Sequence, residues 1–109
     1  MTDKILVFCN CASAEEAEAI ARHLVQEHLA ACVNILPQVR SVYRWQGAIE
    51  EGSECTLMIK TRRQLFDSVR HAVQAKHTYS VPELIAVAVV DGLGAYLDWI
   101  DHETAAPEA

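Results

Sequence analysis

The chain has 109 residues, 51% hydrophobic and 22% charged, with a formal net charge of −6. That length fits one domain, 1–109, and so many apolar residues exclude general disorder; the acid excess excludes a general nucleic-acid binder, which needs a concentrated basic surface. The longest near-apolar run, Leu84 to Val90, is far short of the about 20 residues a membrane-spanning helix requires, so no membrane partner is expected.

In chain order, Lys4 to Asn10 is short, β-branched and nearly continuously apolar, and reads as a buried strand. Ser13 with Glu16 three residues on is a capping-box signature. Ala17, Ile20, Ala21, Leu24, Val25 and Leu29 then recur at helical spacing. Residues 32–46 alternate with period two. Val33, Ile35, Val39, Tyr43 and Trp45 are expected on one face, and Asn34, Gln38, Arg40, Arg44 and Gln46 on the other. Pro37 predicts an edge position or a bulge, and Gln46-Gly47 predicts the turn into a second strand over 48–61. Thr61 with Gln64 is a second capping-box pattern, preceding a helix striped by Leu65, Val69, Ala72 and Val73. Glu83 to Asp91 reads as the last strand, Tyr96 to Ile100 as a short helix, and 104–109 as a frayed tail. The order β-α-β-β-α-β plus a C-terminal helix is the ferredoxin-like split βαβ arrangement, an α+β fold with helices on one face of an antiparallel sheet.

Two features do not suit a monomer. A 14-residue strand spans about 46 Å, whereas a compact domain of this length is roughly 34 Å across, so the hairpin either bends or protrudes with Tyr43 and Trp45 exposed. The last strand, at a sheet edge, is apolar on both faces, an invitation to pairing. Both point to an obligate homo-oligomer. That also accounts for an apolar fraction high for a domain with so much surface.

The candidate chemistry is sparse. Cys9 and Cys11, two apart on a strand, point to the same face. As thiolates they suit Cu(I) or zinc; as thiols they are ordinary core hydrophobes. No C-x-x-C pair occurs. The N-terminus carries no basic segment followed by an apolar one, so reduced thiols and a cytoplasmic location are expected. His77, Tyr79 and Glu83 lie in a loop before the last strand; they either converge on a ligand or form a surface loop with His77 against the end of the helix dipole. His23 and His28, five apart, read as solvated. Glu50, Glu51 and Glu54 read either as a hard-cation site or as a solvated arm. A Cys9–His77 dyad can be drawn on paper, but no nucleophile elbow, phosphate loop, dinucleotide fingerprint or zincin motif is present. The expectation is a protein that is not an enzyme and has no organic cofactor.

Four blocks carry a family resemblance: Leu29-Ala30-Ala31-Cys32-Val33-Asn34-Ile35-Leu36-Pro37, Ser41 to Glu50, Met58-Ile59-Lys60-Thr61, and His77-Thr78-Tyr79-Ser80-Val81-Pro82-Glu83-Leu84, with Tyr96-Leu97-Asp98-Trp99 beyond them. Over Ile5 to Trp99 the chain resembles the CutA divalent-cation-tolerance family. The resemblance implies a homotrimer that binds copper or a related divalent metal ion in the response to metal ions. Metal-associated positions of bacterial relatives fall on Cys9 and Glu83. A histidine position used in some falls on Lys76, with His77 beside it. Thr78 stands where the family's usual block has Pro, and Cys11 is an additional thiol. The metal ligands expected are therefore Cys9, His77 and Glu83, with Cys11 in reserve. The family's likeness to PII signalling trimers implies an alternative, an adaptor binding a small anionic ligand or protein partner in a subunit cleft near Lys60, Tyr79 and Trp45.

Overall fold

Residues 1–105 are described by a computed structural model, with the elements β1 (Lys4–Cys11), α1 (Ala14–Gln26), β2 (Cys32–Trp45), β3 (Ala48–Arg62), α2 (Phe66–Lys76), β4 (Ile85–Ala88) and α3 (Gly94–Glu103). All pairings in the four-stranded sheet are antiparallel, in the order β2-β3-β1-β4, so β2 and β4 are edges. This is the expected split βαβ arrangement.

Strand alternation builds the core. Ile5, Val7, Cys9 and Cys11 of β1 stand opposite Thr61, Ile59, Leu57 and Cys55 of β3, and all eight side chains are buried. Onto this face pack Ala17, Ile20, Ala21 and Leu24 of α1 and Val69 and Val73 of α2. The cap of α1 forms as its sequence dictates. Ser13 Oγ accepts from the Glu16 N–H at 3.2 Å, and Glu16 Oε1 accepts from the Ala12 N–H at 3.2 Å.

The second capping box does not form. Thr61 lies inside β3, buried, and donates its hydroxyl to the Leu29 carbonyl at 2.7 Å. A single 3-10 turn over Arg63–Leu65 intervenes, and α2 starts only at Phe66. The strand ladder outcompetes the local cap because Thr61 occupies a core position in it.

The shared face expected along β2 is also corrected. Leu36 pairs with Thr56 and Val39 with Glu54, so three steps on β2 match two on β3. That is a β-bulge, with Gln38 in the left-handed region at φ 59°. Before it, Val33 and Ile35 pair with Ile59 and Leu57 on the helix side. After it, Val39, Tyr43 and Trp45 pair with Glu54, Glu50 and Ala48 on the opposite side. One inserted residue inverts every later side chain. Gln46 and Gly47 both have positive φ, as a tight two-residue hairpin turn requires.

The hairpin protrudes. The molecule measures 47 × 30 × 22 Å, with a radius of gyration of 14.7 Å against about 13 Å for a compact chain of this length. Regular pairing of β4 is limited to Ile85–Ala88, shorter than the expected Glu83 to Asp91. Among the described residues its outer edge has no strand partner, and Ile85 and Val87 are exposed.

Helices occupy more than the one expected face. Lys4 and Arg62 pair on the side away from α1 and α2. There Lys4 Nζ meets Asp101 of α3 at 3.0 Å, and Arg62 donates to Thr104 Oγ1 and to the Thr104 carbonyl. Thr104, placed by sequence in the frayed tail, is buried and caps α3 through the Ile100 carbonyl; the rest of that tail, 106–109, lies outside the described residues. His28, read as solvated, instead contacts the Glu103 carbonyl through Nδ1 at 3.0 Å.

Candidate metal site

Three potential ligand atoms, the Cys9 and Cys11 sulfurs and one His77 ring nitrogen, lie within 4.8 Å of one another. β1 supplies the two cysteines at alternate positions on its helix-side face, and each is 0% exposed. His77 arrives from the end of α2. Its N–H still bonds the Val73 carbonyl, but its backbone has turned extended, which carries the ring inward. The His77 side chain is 0% exposed, so this ring is not part of a solvated loop surface.

The shell around these atoms is ordered. His77 Nε2 lies 2.7 Å from the Asn10 carbonyl, and Nδ1 accepts from the Tyr79 N–H at 3.0 Å. This pattern directs Nε2 to a carbonyl and Nδ1 to an amide N–H. Binding an ion through either nitrogen costs one of these two bonds. Glu16 Oε1 stands 3.6 Å from His77 Nε2, while Oε2 accepts from the Thr78 N–H at 3.0 Å. A proline at position 78 has no N–H to give, so Thr78 allows Glu16 to clasp this loop to the start of α1. The His77 and Tyr79 rings lie 4.8 Å apart, and the Tyr79 hydroxyl donates to Glu54 Oε2 at 3.1 Å.

Protonation follows this geometry. The Cys11 sulfur beside it, then burial and the nearby Glu83 and Glu16, push the Cys9 thiol up; its hydrogen bond goes to the Asn10 carbonyl at 3.8 Å. The Cys9 thiol beside it, against burial, holds Cys11 below the usual thiol range. Burial raises Glu16, but hydrogen bonds from Thr78 and Ala12 outweigh it and hold the carboxyl low. Burial, then the bond to Glu54, pushes the Tyr79 phenol up to about 12.

The other sequence-nominated residues lie elsewhere. Glu83 is exposed and accepts from the Asn10 amide at 3.4 Å. Asn10 points to the sheet face away from the two cysteines, where Thr56 also bonds it. Lys60 lies near the C-terminal end of β3 beside Cys32, Tyr79 sits near Glu54, and Trp45 stands at the hairpin tip, 61% exposed. Lys60 is twelve residues along β3 from Ala48, the partner of Trp45, or about 40 Å at strand rise. One protomer does not bring these three together. Glu50, Glu51 and Glu54 alternate between the two faces, Glu51 pairing with Arg40 and Glu54 with Tyr79. Sequence reasoning passed over Glu16 as part of the site. The signal was its double duty, a capping residue one turn into α1 opposite a position where Thr replaces Pro.

The donor set fits a soft or borderline transition metal, with two sulfurs and one imidazole already gathered. Ligand atoms about 2.3 Å from a common ion sit about 3.8 Å apart, so closing the cluster takes movement of an ångström or less.

Comparisons with known proteins agree with the fold. The family model of the CutA1 divalent ion tolerance protein matches residues 5–103. The divalent-cation tolerance protein CutA of Thermus thermophilus is 43% identical over 99 residues, 91% of this chain and 96% of that protein. The crystal structure of CutA from Xylella fastidiosa superposes with a TM-score of 0.93 at 46% identity, covering 95% of this chain and all of that one. The periplasmic divalent cation tolerance protein CutA of Archaeoglobus fulgidus gives 0.91 at 40% identity, covering 94% and 99%.

Proposed function

Since the chain belongs to the CutA1 divalent ion tolerance family, we propose that it acts in metal-ion tolerance by binding copper or a related transition-metal ion at Cys9, Cys11 and His77. The observation that carries this reading is the convergence of two buried thiols and a buried imidazole within 4.8 Å. The ion is cargo: the three side chains take it up and hold it in a dry pocket. Asn10 and Glu16 orient His77 from behind, as groups behind a metal ligand do. Glu83, held by the Asn10 amide on the other face of the sheet, adds its negative charge near the site without joining the ligand set.

The working unit is a homotrimer in the cytoplasm. Exposed apolar residues on the hairpin arm (Val42, Tyr43, Trp45 and Ile49) and on the β4 edge (Ile85 and Val87) support assembly. Among the described residues, no helix is long and apolar enough to cross a membrane. Family membership favours the tolerance role over the signalling alternative. No catalytic step is assigned.

Isothermal titration of the purified chain with Cu(I), Cu(II) and Zn(II) tests this. The expected result is one ion per chain, with Cys9→Ser and His77→Ala each weakening it at least tenfold. Failure of the wild-type chain to bind any of the three, or unchanged binding in Cys9→Ser, overturns the site.

A further inference from the structure

We propose that Cys11 makes the pocket selective for a monovalent, thiophilic cation of the Cu(I) class over divalent ions. This rests on the metal-binding reading above and adds the valence that the site prefers and the residue that sets it.

Three observations on the molecule carry it. First, Cys9 and Cys11 are alternate residues on one straight stretch of β1, each held in place by the pairing of Cys9 with Leu57 and Cys11 with Cys55. Their sulfurs therefore face the same space without any loop having to order. Two of the three donors are sulfur, the ligand type that selects Cu(I) and zinc over harder ions, so coordination number and water decide between those two.

Second, the coordination number stops at three. The nearest carboxylate, Glu16, is committed. Its Oε1 accepts from the Ala12 N–H and its Oε2 from the Thr78 N–H. Recruiting it as a fourth ligand would release the helix cap and the loop clasp together. A tetrahedral ion such as zinc takes its fourth ligand from a protein group or from water, and Glu16 is not free to be that group, whereas a cuprous ion is content with two or three.

Third, the pocket is dry. Cys9, Cys11 and the His77 side chain are all 0% exposed, and the Glu16 side chain is only 8% exposed. A hard divalent ion that keeps bound water has no place for it. A soft monovalent ion sheds its water for sulfur at little cost.

Removing Cys11 leaves one sulfur and one nitrogen, a donor set without this bias. The preference is therefore a property of this chain's second cysteine rather than of Cys9 or His77.

The test is a set of competition titrations on the intact chain under reducing, anaerobic conditions. Cu(I) is partitioned against bicinchoninate, Ag(I) serves as a redox-inert probe of the same class, and Ni(II) and Zn(II) are the divalent comparators. Cys11→Ala and Cys11→Ser are both measured, with circular dichroism and oligomer mass to show that each folds. The expected outcome is a drop of about 100-fold in Cu(I) and Ag(I) affinity in both variants, with a loss for Ni(II) and Zn(II) at least about tenfold smaller. Equal loss for monovalent and divalent ions, or no loss for either, overturns the valence assignment while leaving the site itself standing. A wild-type chain that binds none of the four ions, or binding that Cys9→Ser leaves unchanged, overturns the underlying site and the selectivity with it. Should both Cys11 variants fail to fold, the wild-type ranking alone decides. Ni(II) or Zn(II) bound more tightly than Cu(I) overturns the assignment, and the reverse order sustains it.

Discussion

In the inner half of the β2–β3 hairpin, Leu57 and Ile59 are fully buried beneath α1 and α2. In the outer half of the same two strands, Val42, Trp45 and Ile49 are 61 to 73% exposed. Residue types and backbone pairing are alike in the two halves. The difference is what lies against them: two helices inside, and no helix among the described residues outside. Burial is a property of the neighbourhood, and an alternating strand only offers a face for it. The bulge at Pro37-Gln38 sharpens the contrast. It turns Tyr43 and Trp45 to the sheet face away from α1 and α2, while Val42 and Ile49 stay on the face those helices cover further in.

The largest test of this contrast is Leu57→Ala against Ile49→Ala. The first empties a closed core position and is expected to cost about 2–5 kcal/mol in urea denaturation. The second is expected to leave the protomer's own packing unchanged, any loss appearing only as a concentration dependence of the midpoint. Trp45→Ala comes next. Its expected effect is on assembly: a rise of at least about tenfold in the dissociation constant, as for a truncated aromatic anchor, read by light scattering against concentration. No change of mass between nanomolar and micromolar chain would break the link between the bare arm and self-association.

A third test moves to the clasp. Glu16 is held below its ordinary value of 4.5 in the folded chain. Its contribution to stability is therefore fully present above about pH 4.5 and is lost as pH falls through the lowered folded value. Glu16→Ala is expected to cost about 1 kcal/mol at neutral pH, the usual worth of a cap, and to flatten part of the acid limb of the stability curve. Asp3, lowered chiefly by its hydrogen bond from Lys4, titrates in the same sense and remains in the variant as the background. Faster exchange of the Thr78 amide in Glu16→Ala would locate the effect at the loop. The smallest test is Gln38→Gly. Glycine adopts the left-handed backbone at φ 59° without the side-chain penalty, so a gain of about 0.5–1 kcal/mol is expected in thermal unfolding. A loss there would mean that the Gln38 side chain, not the backbone, holds the bulge.

The candidate site was legible in part. Cys9 and Cys11 declared a shared face through their spacing, because strand alternation is local. His77 was nominated from its loop, but its burial depended on α2 ending one residue earlier and on the Asn10 carbonyl waiting across the sheet, 67 residues away in the chain. Glu16 announced itself only as a helix cap. Its second role, on Thr78, spans 62 residues, and no periodicity encodes that. Glu83 was grouped with His77 because the two are close in sequence, yet its hydrogen bond goes to an Asn10 side chain on the other side of the sheet. Adjacent residues on one loop need not reach the same face.

By itself the sequence determined the element order, the strand-turn-strand reversal at Gln46-Gly47, the cap at Ser13, the irregularity at Pro37 and the alternation that pairs Cys9 with Cys11. These follow from short-range sterics and hydrogen bonding, which a few neighbouring residues settle. Only the tertiary structure decided which way the bulge turned the hairpin arm, that Thr61 served the sheet rather than a helix cap, that α3 lay across the second face, and which histidine met the thiols. Each of those is a competition between a local preference and burial against a distant segment, and the distant segment won.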